Sequence, residues 1–383
     1  VSQSAAARVL DRAALADVTL ARRVVVKIGS SSLTDAEGHL DVARLTAVVN
    51  TLAARRAAGG EVVLVSSGAI AAALPVLKLA RRPKDLATQQ AAASVGQGLL
   101  VAHYTRAFAA HGLRVGQVLL TAEDVIRRGH YRNAHRSLTR LLELGVVPII
   151  NENDAVATRE IRFGDNDRLA ALVSHLVHAD AMVLLTDVDA LYTAPPTRPG
   201  SQRIAVVDDI EALADLEITA SGSHVGTGGM VTKVDAAAIA SGAGVPVVLT
   251  HADTLGTALA GEDVGTWFSP AGKRVTSRRL WLAHAADTQG RVVVDAGAVR
   301  AITHGKKSLL AAGAIAVEGT FEAGDPIEIA GPDGTVVARG LVSYSSDELP
   351  AHLGRSSAEL RETLGEGHDR EVVHRDDMVI TRR

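Results

Sequence analysis

Short apolar runs alternate with longer stretches of helical spacing along most of this chain. Arg22 to Gly29 (RRVVVKIG) is an apolar run carrying one lysine and closed by glycine, which predicts a buried strand. From Asp41 to Ala58, Val42, Leu45, Val48, Val49 and Leu52 recur at helical spacing before Gly59-Gly60. Glu61 to Ser66 predicts a second buried strand, and Ser67-Gly68 turns it directly into a helix. Pro83 to His111 reads as a long helical region interrupted at Gly96 and Gly98. Val115 to Leu120 reads as strand, His130 to Leu144 as helix and Val146 to Ile150 as strand. The stripe Leu169, Leu172, Val173, Leu176 marks a helix ending near Ala179, with strands at Ala181 to Thr186 and Val245 to Leu249.

Such alternation predicts an α/β fold, a three-layer αβα sandwich around a mainly parallel sheet. Past about Arg278 the character changes to short β-like runs separated by glycine turns: 292–294, 315–318, 326–329 and 336–338. These predict a small, separate β-rich domain. The expected division is an N-terminal extension at 1–20, a main domain at 21–275, a β-rich domain at 285–370 and a tail or last strand at 371–383.

Right-handed crossovers bring the carboxyl ends of parallel strands to one edge, where open α/β sheets bind ligands. The densest polar stretch falls there. Asn151, Glu152, Asn153 and Asp154 follow one strand, and Asp165, Asn166 and Asp167 open the next helix. Helix capping needs one such residue, and here there are seven. Lys27 lies at the end of the first strand, beside the small turn Gly29-Ser30-Ser31-Ser32. A lysine in a buried strand needs a partner. Ser67-Gly68 reaches the same edge. Gly222 to Lys233 (GSHVGTGGMVTK) is a glycine-rich loop running into a helix, suited to phosphate through its amides and the helix dipole. It is neither a P-loop nor a dinucleotide fingerprint.

Composition narrows the chemistry. The chain has 383 residues, 47% apolar and 22% charged, with a net charge of -3 and no cysteine. Disulfides, thiolate metal sites and cysteine nucleophiles are excluded, and the whole-chain charge gives no footprint for nucleic acid. No apolar run approaches the roughly 18 residues of a membrane span, and a cytoplasmic location is expected. His175 and His178 lie three apart without a third ligand at metal spacing, so packing is the expected role. Two lysines, a glycine-rich cradle and clustered carboxylates fit phosphoryl transfer, with Asp165 and Asp167 able to hold Mg²⁺ through waters.

The set KIGSS, VSSGAIA, INENDAVA, FGDND, LLTD and GTGGMVTK resembles the glutamate 5-kinases of the amino-acid kinase superfamily. The region from about Arg291 to Arg370 resembles the PUA domain that many of them carry. The resemblance implies ATP-dependent phosphorylation of the γ-carboxylate of L-glutamate, the first step of proline biosynthesis. It implies that Lys27 and the Gly29–Ser30 turn face the transferring phosphoryl group, with Lys233 near the leaving oxygens. Ser67, Asp154 and Asn166, joined by Gly68, Asn151 and Asp165, match substrate-binding positions. Thr186, Asp187, Thr227, Gly228, Gly229, Met230, Val231, Thr232 and Lys233 match the ATP-binding segments. Asp167 and Asp165 would organise substrate, lysines and Mg²⁺. Proline as feedback inhibitor, a glutamyl-phosphate reductase downstream and a homo-oligomer, dimer or tetramer, are implied with them. Ala73 and Lys78 stand where glycines are expected. The alternatives are a sister kinase acting on another carboxylate and RNA binding through the PUA-like part, where Arg291, Arg300, Lys306 and Lys307 are offset by Glu318, Glu322, Asp325 and Glu328.

Overall fold

The computed structural model describes residues 18–121, 124–125, 128–156, 166–213, 229–270, 282, 288–305, 307–365 and 370–381. Two compact units divide the chain, Val1–Ser277 and Arg278–Arg383.

In the first unit the order is β1 (Arg23–Ile28), α1 (Ser30–Leu33), α2 (Val42–Ala57), β2 (Glu61–Ser66), α3 (Ala69–Ala73), α4 (Leu86–Ala109), β3 (Arg114–Leu120), α5 (Arg128–Glu143) and β4 (Val146–Glu152). There follow α6 (Asn166–Leu176), β5 (Ala181–Thr186), β6 (Val206–Val207), α7 (Met230–Gly242), β7 (Val247–His251), α8 (Leu255–Leu259) and β8 (Thr266–Phe268). Among the described residues the strands form one sheet in the order β3-β4-β2-β1-β5-β7-β8-β6. Every pairing is parallel except β7 with β8. From β1 the chain winds outward through β2 one way and β5 the other, so the topological switch point lies between β1 and β5.

Side chains alternate across a strand, and the sheet uses this to build two interfaces. Val24, Val26 and Ile28 of β1 join one core with Leu45, Val48, Val49 and Leu52 of α2 and Leu100, Tyr104 and Phe108 of α4. Val25 and Lys27 point the other way, toward the face on which α6 packs. The apolar stripe of α6 (Leu169, Leu172, Val173, Leu176) is wholly buried. The three expected layers are therefore present, and Lys27 is the buried charged residue of β1 on the α6 face.

Two features differ from the expectation. Leu86–Ala109 is one unbroken helix, capped by the Asp85 carboxylate on the Thr88 amide. Gly96 is not a break but a point of contact: a Cβ there would lie 1.7 Å from the carbonyl oxygen of Ala69 and 3.1 Å from the Ala73 methyl. Ala73 therefore fits because its neighbour is glycine. The second concerns Lys78, which has φ of 53° in an exposed turn after α3. That conformation costs a non-glycine residue about 1–2 kcal/mol, against the roughly 0.5–1 kcal/mol of entropy a glycine loses on folding. Lys78→Gly is expected to raise stability by up to about 1 kcal/mol, read as a higher urea midpoint at unchanged slope. An unchanged or lower midpoint would contradict it.

The second unit is a five-stranded sheet among the described residues, in the order β10-β9-β11-β12-β13. Its elements are β9 (Gly290–Val294), α9 (Ala296–Thr303), β10 (Ala314–Gly319), β11 (Pro326–Ala330), β12 (Val336–Val342), α10 (Ser357–Leu364) and β13 (Val373–Ile380). The C-terminal segment is not a tail, because β13 pairs antiparallel with β12. Val372 and Val373 are fully buried in this unit's core, which accounts for the strand. Arg291 is held by Glu328 at 2.8 Å and by Glu318 at 3.9 Å. No described helix of either unit is long and apolar enough to cross a membrane.

Candidate active site

The parallel register aligns the strand ends that carry the polar residues. Lys27 pairs with Val65 of β2 and Leu184 of β5, and Val65 with Ile150 of β4. One residue further along, the sheet edge presents Ser66, Asn151 and Leu185, then Ser67 and Thr186. Sequence-distant groups thus converge on the edge of four neighbouring strands.

Asp167, in the first turn of α6, is the centre of the cluster and is 0% exposed. Its Oδ1 lies 2.5 Å from Lys27 Nζ and its Oδ2 lies 3.3 Å from Lys233 Nζ. Thr232 Oγ1 also donates to Oδ2 at 3.2 Å. Lys27 is 2% and Lys233 7% exposed. One carboxylate therefore balances two buried ammonium groups, leaving an excess of one positive charge within these three side chains. An anion brought to this edge would meet two ammonium groups held by a shared carboxylate. The Lys27 ammonium lies above Gly29, where a Cβ would come within 3.4 Å of Nζ. Gly29 keeps that space open, and Ser30 follows as the first residue of α1.

Lys233 comes from the first turn of α7, whose N-cap is Gly229 and whose first residues are Met230, Val231 and Thr232. The single Thr232 hydroxyl proton is shared between Asp167 Oδ2 and the nearer Gly229 carbonyl at 2.9 Å, which ties the carboxylate to the entry of the helix. Arg168 and Asp235 bridge α6 and α7 at 3.2 Å, holding the helix of Asp167 in register with the helix of Lys233. At the end of β5, Thr186 Oγ1 donates to Asp187 Oδ1 at 3.0 Å, across the switch point from Lys27.

The second half of the site lies toward β2 and β4. Gly68 has φ of 100°, a left-handed turn that lets β2 pass straight into α3. Asn166 Nδ2 reaches Asn151 Oδ1 at 2.9 Å, Ser67 Oγ at 3.0 Å and the Ser66 carbonyl at 3.3 Å. Ser66 Oγ donates to the Ser67 carbonyl and meets the Tyr104 hydroxyl at 2.8 Å. Burial pushes the Tyr104 phenol above its ordinary range, so it stays protonated and can donate to Ser66. Beside this network a cavity of about 230 Å³ is lined by Gln97, Gln117, Asn153 and Asp154, among others.

The structure therefore brings together Lys27, Gly29, Ser30, Ser67, Gly68, Asn151, Asp154, Asn166, Asp167 and the stretch from Gly229 to Lys233, with Thr186 and Asp187 on the far side of the switch point. Asp165, Thr227 and Gly228 lie outside the described residues. Sequence reasoning missed Gln97 and Tyr104. Gly96 was the available signal, because glycine within a helix marks a close backbone approach. His178 packs edge-on against His135, with ring centroids 5.3 Å apart. Among the described residues no group of three or more acidic or histidine side chains could hold a metal. Both oxygens of Asp167 face lysines, so the described residues do not fit direct Mg²⁺ ligation.

The amino acid kinase family model matches residues 22–251, and the PUA domain model residues 290–364. A glutamate 5-kinase of Streptomyces avermitilis is 60% identical over 96% of this chain and 99% of its own length. One of Salinispora arenicola is 62% identical over 95% of this chain and 99% of its own. The chain belongs to the amino acid kinase family, among the glutamate 5-kinases. A further member of this family, from Bifidobacterium longum, is 57% identical over 95% of this chain and 97% of its own. Family membership extends across both units.

Proposed function

We propose that the chain transfers the γ-phosphoryl group of ATP to the γ-carboxylate of L-glutamate, giving ADP and γ-glutamyl phosphate as the first step of proline biosynthesis. The observation that carries this reading is the buried trio of Lys27, Asp167 and Lys233, in which one carboxylate holds two ammonium groups beside a pocket of amide and carboxylate groups.

A γ-carboxylate has a reference pKa of about 4.3, so it is ionised at neutral pH and attacks without a general base. Its oxygen bonds to the γ-phosphorus as the bond from that phosphorus to the ADP oxygen breaks. Catalysis then consists of positioning two anions against one another and neutralising the charge between them. Lys27 and Lys233 are the catalytic residues of this reading. Asp167 holds both ammonium groups in place and lowers the cost of burying them. Ser67, Gly68, Asn151, Asp154 and Asn166 form the amino-acid side. Gly29, Ser30, Thr186, Asp187 and the stretch from Gly229 to Lys233 form the nucleotide side, joined by Thr227 and Gly228.

Mg²⁺ belongs to this reading as charge neutralisation carried with ATP, Asp165 and Asp167 acting through water rather than directly. Proline as feedback inhibitor, a glutamyl-phosphate reductase as consumer of the labile product, a homo-oligomer and a cytoplasmic location are part of the same proposal. The discriminating experiment is ADP release with ATP and Mg²⁺ across L-glutamate, L-aspartate and N-acetyl-L-glutamate. Turnover is expected with L-glutamate at least tenfold above the other two, roughly 1.4 kcal/mol in transition-state binding. Preference for either alternative would move the chain to a sister activity.

A further inference from the structure

Gln97 has no role in the reaction as set out above, yet it is 92% buried and ends the hydrogen-bond chain that runs through the amino-acid pocket (8% exposed). Asn151 Nδ2 donates to Gln97 Oε1 at 2.7 Å. Asn151 Oδ1 accepts from the Glu152 backbone amide at 2.9 Å and from Asn166 Nδ2 at 2.9 Å.

A side-chain amide can turn over, exchanging donor and acceptor ends, but a backbone N–H cannot. The Glu152 amide therefore requires the oxygen of Asn151 to face it, which turns Asn151 Nδ2 toward Gln97. Gln97 answers with its oxygen. Asn166 must in turn offer its nitrogen to Asn151 Oδ1 and to the Ser66 carbonyl, and its own oxygen is left pointing elsewhere. Asn166 Oδ1 is buried with no hydrogen-bond partner among the described residues. Leaving such an acceptor unsatisfied costs about 1–3 kcal/mol, so a donor brought from outside gains by meeting it.

L-Glutamate at neutral pH carries two carboxylates and one α-ammonium, and the ammonium is its single donor group. Resting on the proposed glutamate reaction, we propose that Gln97 is a positioning residue: by accepting from Asn151 it reinforces the orientation that the Glu152 amide and the Ser66 carbonyl set for the Asn151–Asn166 pair, so that the Asn166 oxygen recognises the α-ammonium of the substrate. Without the Gln97 oxygen, the Asn151 nitrogen loses its acceptor, and the Asn151–Asn166 pair is held by the Glu152 amide and the Ser66 carbonyl alone. The pair is then positioned less tightly, and the Asn166 oxygen with it.

Glutarate, which is glutamate without the ammonium, provides the test. Gln97→Met keeps helix propensity and approximate volume while removing the acceptor. In full-length protein it is expected to raise KM for L-glutamate about tenfold, with kcat, KM for ATP and the Ki of glutarate as competitor each within about twofold of the parent. Added to Asn166→Ala, it is expected to change KM for L-glutamate by less than about twofold, because both act through one contact. Gln97→Leu is expected to give the same pattern and serves if the methionine variant does not fold. An unchanged KM for glutamate, an equal loss of glutamate and glutarate binding, or full additivity with Asn166→Ala would overturn the assignment. A parent protein without glutamate-dependent ADP release would instead overturn the reaction on which it rests.

Discussion

Replacing Asp167 with alanine is expected to destabilise the protein by about 3–5 kcal/mol, the range for breaking a buried ion pair by removing one partner. Lys27 and Lys233 would then lie in the same buried region without the carboxylate that is within ion-pair distance of both. The loss should appear as a fall in urea midpoint. It should be partly reversed by Lys27→Met in the same chain, which removes one of the two stranded charges. Turnover should fall to background even at temperatures where the variant remains folded, because the lysines lose the group that aims them. ATP should stabilise the variant more than the parent, its phosphates replacing the missing carboxylate. If Asp167→Ala melted like the parent, the cluster would not be the electrostatic centre of the site.

Lys27→Met alone is expected to separate activity from stability. It leaves Asp167 against Lys233 and Thr232, one negative charge against one positive. The remaining pair is balanced, and the methionine fills a similar volume in a buried strand. Loss of stability should stay below about 1.5 kcal/mol, as for swaps that conserve volume. Turnover should fall about 10²–10³-fold, the usual effect of removing one preorganised donor to a developing charge. Steady-state kinetics beside a urea titration would read both. A variant that kept most of its kcat, or that lost stability as severely as Asp167→Ala, would contradict the role given to Lys27.

These two contrasts depend on a feature that only the fold supplies. The sequence pattern places Lys27 at a strand end, Asp167 at a helix start and Lys233 after a glycine-rich loop, and parallel topology sends all three to one edge. Strand limits were legible because β1, β2 and β5 are short, mainly apolar runs; Glu61–Ser66 and Ala181–Thr186 occur at the expected limits. The partnership within the site was not legible. Nothing in residue spacing says that one carboxylate serves both lysines, since Asp167 is 140 residues from Lys27 and 66 from Lys233. Asp167 read as readily as a metal ligand as it did as a lysine partner.

Gln97 shows a different limit. A glutamine within a helix rich in alanine carries no motif, and Gly96 beside it read as a break in periodicity. Its contact with Asn151 exists because α4 approaches the backbone of Ala69 closely enough to exclude a methyl group at position 96. That closeness is a property of packing between helices: Gly96 signals that something approaches, but not that the approach brings Gln97 to Asn151. The terminal strand Val373–Ile380 was ambiguous for a similar reason, because its partner β12 fixes it more than its own charged sequence does.

The two ammonium groups held by Asp167 are expected to serve transfer of a phosphoryl group to the γ-carboxylate of glutamate. The most direct measurement is to incubate the full-length protein with ATP, Mg²⁺, L-glutamate and hydroxylamine and to quantify γ-glutamyl hydroxamate against ADP. Hydroxamate formed one-for-one with ADP, dependent on glutamate and reduced about 10²–10³-fold in Lys27→Met, is the predicted result. ADP released without hydroxamate, or hydroxamate formed equally well by Lys27→Met, would contradict it.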